Sequence, residues 1–428
     1  MAGEAPRYGW YGDDFTGATD TLATLAEAGQ RALLFLRIPT PQQLASAGTL
    51  DAVGIAGATR AMVPDAMAQE LDEAGRFFAA LGVGLLHYKC CSTFDSAPGV
   101  GSLGVAARAL RPHFPNPLLP IIGGQPNLGR YCLFGNLFAA AGAGGTVHRI
   151  DRHPTMSVHP VTPMAEGDLR RHLAAQGLER VGLVDYRSHE GGGAASALDA
   201  ALEGQPEAVL FDVSRPSDLA AVGQLLRERM SAGPMLAIGA SSVAQAFVGF
   251  PQAARLEMPK LARPESGGNL LALVGSLSPV TRAQVGLTER YETIAIDPER
   301  LTGEPTYLDE LRAETITRLA ARNVMLITDK PAGPPAETGK VAAATGALLR
   351  AIMDEARIAR LVVAGGDTST LAIRALPIWG LSYRSPCTPG APLCRAHSDD
   401  SRLDGLDIVL KGGQMGTPDF FNRVAETG

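Results

Sequence analysis

Short apolar runs that alternate with helical stretches predict an α/β chain of two domains, each a mostly parallel sheet flanked by helices. Three observations carry this expectation: a β-loop-α-β opening, the recurrence of that alternation along the chain, and a break in periodicity over residues 249–268. At 428 residues the chain exceeds one ordinary core. With 46% hydrophobic residues, 49 Gly and 30 Pro but only 5% aromatics, it fits a turn-rich α/β enzyme.

Residues 7–12 read as a strand ending at Gly12. Residues 16–29 carry Leu22, Leu25 and Ala26 at helical spacing, and residues 32–36 resume as a strand. Next come an apolar run at 52–56, a helical stretch at 67–81 and another apolar run at 84–89. Further strands are expected at 118–122, 180–184, 208–213 and 235–238. The segment 249–268 collects Pro, Gly and charge, which sets the expected domains at 1–255 and 265–428. Beyond it a strand is expected at 269–274, a helix from 279 to about 291, and strands at 325–328, 361–363 and 407–410.

The net charge of −6 and the lack of any long Lys/Arg run argue against a nucleic-acid partner. No apolar run approaches bilayer length, and the N-terminus lacks a charged-then-apolar signal, so no membrane role and a cytoplasmic location are expected. Cys90, Cys91, Cys132, Cys387 and Cys394 are odd in number and lack zinc-type spacing, so reduced thiols are expected. His148-Arg149-Ile150-Asp151-Arg152-His153 reads as a polar loop, because the interleaved arginines would oppose a metal cation.

Polar residues at strand ends carry the chemistry. Asp13-Asp14-Phe15-Thr16-Gly17 lies between a strand and a helix, where open α/β sheets bind ligands. Either Asp14 and Thr16 merely cap the helix, or the carboxylates bind a polyol and one serves as general base. Thr59-Arg60 and the run Lys89-Cys90-Cys91-Ser92-Thr93-Phe94-Asp95-Ser96 follow two further strands. Lysine, hydroxyls and a guanidinium there suit an anionic, hydroxylated molecule. In the C-terminal half, Gly275-Ser276, Gly365-Gly366-Asp367-Thr368-Ser369 and Lys411-Gly412-Gly413-Gln414-Met415-Gly416 each follow an apolar strand, a pattern that suits phosphate at helix N-termini. There is no Walker A motif and no dinucleotide G-x-G-x-x-G fingerprint by the first strand.

These segments together resemble the four-carbon acid-sugar kinases, which include threonate, erythronate and 3-oxo-tetronate kinases. The resemblance spans nearly the full chain. It implies an ATP-dependent kinase with Mg²⁺, an active site in the interdomain cleft, the acid sugar on the N-terminal domain and ATP on the C-terminal one. By it Asp13, Asp14, Arg60 and Lys89 contact substrate, with Ser92 and Thr93 beside them. Ser276, Gly365, Gly366, Asp367, Thr368, Gly412, Gly413 and Gly416 surround the nucleotide. Asp14 or Asp367 is then the candidate base, while Lys89 and Arg60 hold the substrate carboxylate. Many members carry Lys-Lys-Ile-Asp-Ser-Thr-Leu-Arg-Gly where this chain has Lys89 to Ser96, so the arginine of that loop is absent. A homodimer is one option for assembly. The competing functions are a lyase or isomerase on similar hydroxy acids and a non-catalytic two-lobe sugar-acid binder.

Overall fold

The computed structural model describes residues 6–142, 144–159, 161–249, 261, 264, 267–275, 278–328 and 338–426. The chain divides into two compact units, Met1–Arg255 and Leu256–Gly428. In the first, the strands in chain order are β1 (Tyr8–Gly12), β2 (Ala32–Phe35), β3 (Ala52–Ala56), β4 (Leu85–Lys89), β5 (Pro120–Gly123), β6 (Arg130–Leu133), β7 (Asn136–Ala140), β8 (Val147–Arg149), β9 (Val181–Val184), β10 (Ala208–Asp212) and β11 (Met235–Gly239). All except β6, β7 and β8 form one parallel sheet in the order β2-β3-β1-β4-β11-β5-β10-β9.

Both faces of this sheet are covered, which is why its strands read as continuous apolar runs. Tyr8, Trp10 and Tyr11 of β1 are buried. Gly54 of β3 makes room for the indole, since a Cβ there would sit 2.1 Å from the Trp10 ring. Trp10 Nε1 donates to the Ala18 carbonyl at 3.2 Å and ties the helix Phe15–Glu27 to the sheet. His87 lies inside the sheet with no exposure. Its Nε2–H donates to the Gly239 carbonyl (3.0 Å), which leaves Nδ1 to accept from the Tyr8 hydroxyl (2.8 Å). Burial pushes its pKa down to about 3, so the ring is neutral.

Register sets the strand ends in one row. Gly12 pairs with Ala56 on one side and Lys89 on the other; Lys89 pairs with Gly239, and Gly239 with Ile122. Whatever follows β3, β1, β4, β11 and β5 therefore emerges along the same edge.

The antiparallel sheet β6-β7-β8 departs from the sequence reading. Residues 148 and 149, expected in a polar loop, pair with Ala139 and Phe138. Strands this short, bounded by Gly129 and Gly135 at φ +71° and +78°, leave too few residues for alternation to register. Cys132 N–H donates to the Val213 carbonyl (2.9 Å), and Cys132 Sγ lies 2.8 Å from where a Cβ on Gly123 would stand. The small sheet thus rests over the carboxyl end of β5.

The second unit holds β12 (Leu270–Val274), β13 (Glu292–Ala295), β14 (Val324–Ile327), β15 (Arg360–Ala364), β16 (Ile378–Thr388), β17 (Ala391–Ser398) and β18 (Asp407–Lys411). Their order is β13-β14-β12-β15-β18-β17-β16, parallel as far as β18 and antiparallel beyond it. The fold is therefore α/β with mostly parallel sheets, as the alternation predicts. The helix expected to about residue 291 ends at Gly286. Asn422 stops it: its Oδ1 accepts from Glu289 N–H (3.0 Å) and its Nδ2 donates to the Leu287 carbonyl (2.8 Å). Among the described residues no helix is long and apolar enough to cross a membrane, and all five cysteines are free.

Candidate active site

Along the strand-end row of the first unit, Asp13 and Asp14 follow β1 and Arg60 follows β3. Backbone bonds fix their spacing: Asp13 N–H donates to Lys89 O (2.9 Å), Gly57 N–H to Gly12 O (2.8 Å) and Arg60 N–H to Asp13 O (3.2 Å). The guanidinium then reaches both carboxylates. Nε and NH2 of Arg60 donate to Asp13 Oδ2 and Oδ1 at 3.1 and 2.8 Å, and NH1 donates to Asp14 Oδ2 at 2.8 Å. Both aspartates are buried.

The two carboxylates differ. Asp14 Oδ1 also accepts from Gly17 N–H at 2.7 Å and caps the helix Phe15–Glu27, so capping and a place in the cluster coincide. Asp13 makes no cap. Burial pushes its carboxyl above the usual value, against the opposing pull of Arg60 and with Asp14 adding to the rise.

Lys89, the last residue of β4, is buried and donates from Nζ to Cys90 O at 2.7 Å. Gly17 admits the ammonium: a Cβ at that position would lie 2.5 Å from Lys89 Nζ and 2.8 Å from Asp14 Oδ1. Beyond β4, Ser92 and Thr93 are buried and Thr93 Oγ1 donates to Asp95 Oδ1 (2.6 Å). Burial works to raise the Asp95 carboxyl, yet Arg60 with hydrogen bonds from Cys91 and Thr93 holds it below its usual value. Burial pushes Cys91 up to about 11, so it stays a thiol rather than a nucleophile. Arg60, expected to hold a substrate carboxylate, donates three of its five N–H groups to Asp13 and Asp14, which makes it first of all the residue that orients them.

In the second unit the register gives another row: Ile327 and Ala364 flank Val274, and Ala364 pairs with Lys411. Gly275 and Gly365 leave it through N–H bonds to Ala364 O (2.9 Å) and Lys411 O (2.8 Å). Helices Pro279–Gly286 and Gly366–Arg374 start just beyond, presenting their amino ends at this edge. Gly365 has φ +124°, which a side chain would strain. Ser276 and the side chains of Asp367 and Thr368 lie outside the described residues.

Lys411, missed as a site residue, organises the loop after β18. Its buried Nζ donates to Thr281 Oγ1 (3.0 Å), Gly412 O (3.0 Å) and Met415 O (3.1 Å). Burial pushes the ammonium down to about 7, while these three acceptors favour its charge. Gly413 O accepts from Thr281 Oγ1 (2.9 Å) and from Ser278 Oγ, and Gln284 Nε2 donates to Met415 O (3.0 Å) and Thr417 O (2.9 Å). With these carbonyls turned to side chains and Met415 N–H spent on Gly412 O (3.1 Å), the glycine N–H groups of the loop suit an anion. Gly416 turns it at φ +86°.

An open cavity of about 540 Å³ lies at the other edge of this unit, lined by Asn269, Glu289, Tyr291 and Asn323 among others. There Asn269 Nδ2 donates to Leu319 O and Asn323 Nδ2 to Arg290 O, which makes these amides supports for strand starts.

Residues 8–247 match a family model described as a sugar-binding N-terminal domain, and residues 271–421 one described as a nucleotide-binding C-terminal domain. The chain is 39% identical to the 3-oxo-isoapionate kinase of Paraburkholderia graminis, over 97% of this chain and 93% of that protein. It is 29% identical to the 3-oxo-tetronate kinase of Methylobacterium radiotolerans, over 98% of each. A crystal structure from Salmonella typhimurium LT2 matches with a TM-score of 0.76 at 26% identity, over 97% of this chain and 98% of that one. One from Haemophilus influenzae, at 22% identity and a TM-score of 0.67 over 97% and 98%, shares the fold. The matches over both units place the chain in the four-carbon acid-sugar kinase family, whose members join a sugar-binding domain to a nucleotide-binding one.

Proposed function

We propose that this chain is an ATP-dependent kinase that phosphorylates a hydroxyl of a small sugar acid carrying a 3-oxo group, of the 3-oxo-isoapionate or 3-oxo-tetronate kind. The observation that carries this reading is the buried Asp13–Asp14–Arg60 cluster at the strand ends of the sugar-binding unit. Supporting it are the amino ends of two helices and the Lys411-braced glycine loop in the nucleotide-binding unit, which suit polyphosphate. The relatives named for 3-oxo acids support the substrate class.

In this mechanism Asp13 is the base. Its raised affinity for a proton suits it to accept one from the acceptor hydroxyl, while Arg60, itself anchored by Asp14, holds it in place. The acceptor oxygen bonds to the γ-phosphorus, the bond to the bridging oxygen breaks, and ADP leaves with that electron pair. Lys89 offers positive charge at the same strand-end row. Mg²⁺, carried on the ATP phosphates, would neutralise their charge.

The test is ADP release with each 3-oxo acid generated in situ by a dehydrogenase, since β-keto acids decarboxylate on storage, beside threonate and erythronate. Substrate-dependent ADP is expected with a 3-oxo acid. Conversion of the acid without ADP would indicate a lyase or isomerase, and binding of the acid without affinity for ATP would indicate a non-catalytic binder.

A further inference from the structure

At the strand-end row of the first unit Arg60 has three of its five N–H groups committed to Asp13 and Asp14, and Lys89 has one donor committed to the Cys90 carbonyl. After Lys89 the chain has no further Lys or Arg until Arg108. An acid sugar brings a carboxylate that must be matched if it is to leave water.

Arg130 is a further cation beside this row. It opens β6 and is only 6% exposed, on the same strand face as Cys132, which packs against Gly123 at the carboxyl end of β5. NH1 donates to the Leu128 carbonyl, but Nε–H is buried without a partner. No carboxylate forms an ion pair with it among the described residues. Burial weighs against its charge, while Cys91 and Asp95 of the loop after β4, and after them its neighbour Tyr131, favour it.

Two more buried polar atoms without partners stand on the same edge. Gln125 is fully buried directly after the end of β5 and exchanges backbone bonds with Arg130 in both directions (2.8 and 3.2 Å). Its Nε2 donates to Asp20 Oδ2 (3.1 Å) on the helix Phe15–Glu27, which leaves Oε1 unmatched. One turn before Asp20 on that helix, Thr16 Oγ1 is likewise buried and unmatched, two residues after Asp14. A donor cation near Asp95, an amide oxygen on the side chain that bonds Asp20 and a hydroxyl on the helix capped by Asp14 therefore remain unsatisfied. Buried polar groups of this kind are costly unless something binds them.

We propose that Arg130 is the carboxylate receptor of the sugar-acid site, with Gln125 Oε1 and Thr16 Oγ1 accepting from and donating to the hydroxyls of the same ligand. The ligand class is a short polyhydroxy monocarboxylate, and the role rests on the sugar-acid reading of this unit but not on phosphoryl transfer. It gives the recognition of the acid group to the small antiparallel sheet and leaves Arg60 to orient the aspartates.

The experiment compares wild type, Arg130→Gln and Arg130→Lys by calorimetric binding of threonate and its neutral amide, and by KM for the in situ 3-oxo acid and for ATP. Wild type is expected to bind threonate well above its amide. Arg130→Gln is expected to weaken acid binding by roughly tenfold to a hundredfold, as for loss of a charge-assisted hydrogen bond, to bring acid and amide affinities together, and to leave KM for ATP within about twofold. Arg130→Lys should recover part of the discrimination, and it serves in place of Arg130→Gln should that variant not fold, because lysine lacks the planar fork and should still weaken the acid selectively. Unchanged acid-over-amide preference in either variant, or a wild type that binds no hydroxy acid, would overturn the proposal. A wild type that binds threonate through Arg130 yet releases no ADP with any acid would retain it and reject the kinase reading instead.

Discussion

Replacing Gly17 by Ala should remove activity without removing stability. A Cβ at position 17 would stand 2.5 Å from Lys89 Nζ and 2.8 Å from Asp14 Oδ1, where ordinary contact begins near 3.4 Å. The atoms in the way end two side chains, so the Lys89 ammonium must withdraw by about 1 Å and the Asp14 carboxylate by about half that, displacements that can cost about a hundredfold in rate when the groups are part of a reacting constellation. Stability moves the other way. Gly17 lies inside the helix Phe15–Glu27, where Gly to Ala is worth about 1 kcal/mol. A weakened bond from Lys89 to Cys90 O would return roughly the same amount. The melting temperature should therefore shift by no more than about 4 °C, while kcat falls on the order of a hundredfold in the ADP-release assay. A folded Gly17→Ala enzyme with wild-type kcat would refute the placement of Lys89 in the reaction.

Asp13→Asn should abolish turnover at saturating acid and ATP while losing stability at pH 8 only through the one Arg60 bond that the amide cannot accept. A carboxyl raised on folding contributes stability below its unfolded pKa and loses it as pH rises through the folded value, so at pH 8 the neutral amide forgoes nothing on that account. Lys411→Met leaves Gly412 O and Met415 O without their ammonium. It should raise KM for ATP about tenfold or more, with KM for the acid little changed, at a stability cost of about 1–3 kcal/mol in urea unfolding. His87 is neutral in the fold, with its pKa lowered to about 3 from the ordinary value near 6.5. The unfolded chain binds that proton first as pH falls, so stability is full above pH 6.5 and is lost down to pH 3, on the order of 2 kcal/mol by pH 5. A His87→Gln variant, which can keep one hydrogen bond, should show a flatter profile between pH 6.5 and 5; an equally steep one would place the acid sensitivity elsewhere.

Most parallel strands were legible because they are short, largely buried apolar runs, whereas β13, with Thr293 and Ala295 exposed, was not; the row of motifs was legible because turn glycines and polar residues follow those runs directly. The other strands that escaped are antiparallel. In β16 and β17, Pro386 and Pro392 argue against strands by removing ladder donors; the pair accommodates Pro386 through register shifts between Tyr383 and Ser385 and between Ser385 and Thr388. The better signal was the Pro389-Gly390 turn between the two strands, with Gly390 at φ +79°.

For the site, sequence identified residue types at strand ends but could not say which charges neutralise one another. That depends on register. Because Gly12 pairs with Ala56, Arg60 emerges beside Asp13 and Asp14 and becomes their partner. A one-residue slip would move every inward side chain to the other face and free that guanidinium. Once Arg60 is committed, the charge needed for an acid substrate must come from elsewhere, and the candidate lies on a strand whose first residue looks, in sequence, like any polar residue after a Gly turn. Arg130 becomes conspicuous only when its burial and its unmatched Nε–H are seen together. The same reasoning explains why Lys411 was passed over beside its glycines: the chemistry expected of the loop is in its N–H groups, while the lysine's part is to turn the carbonyls away.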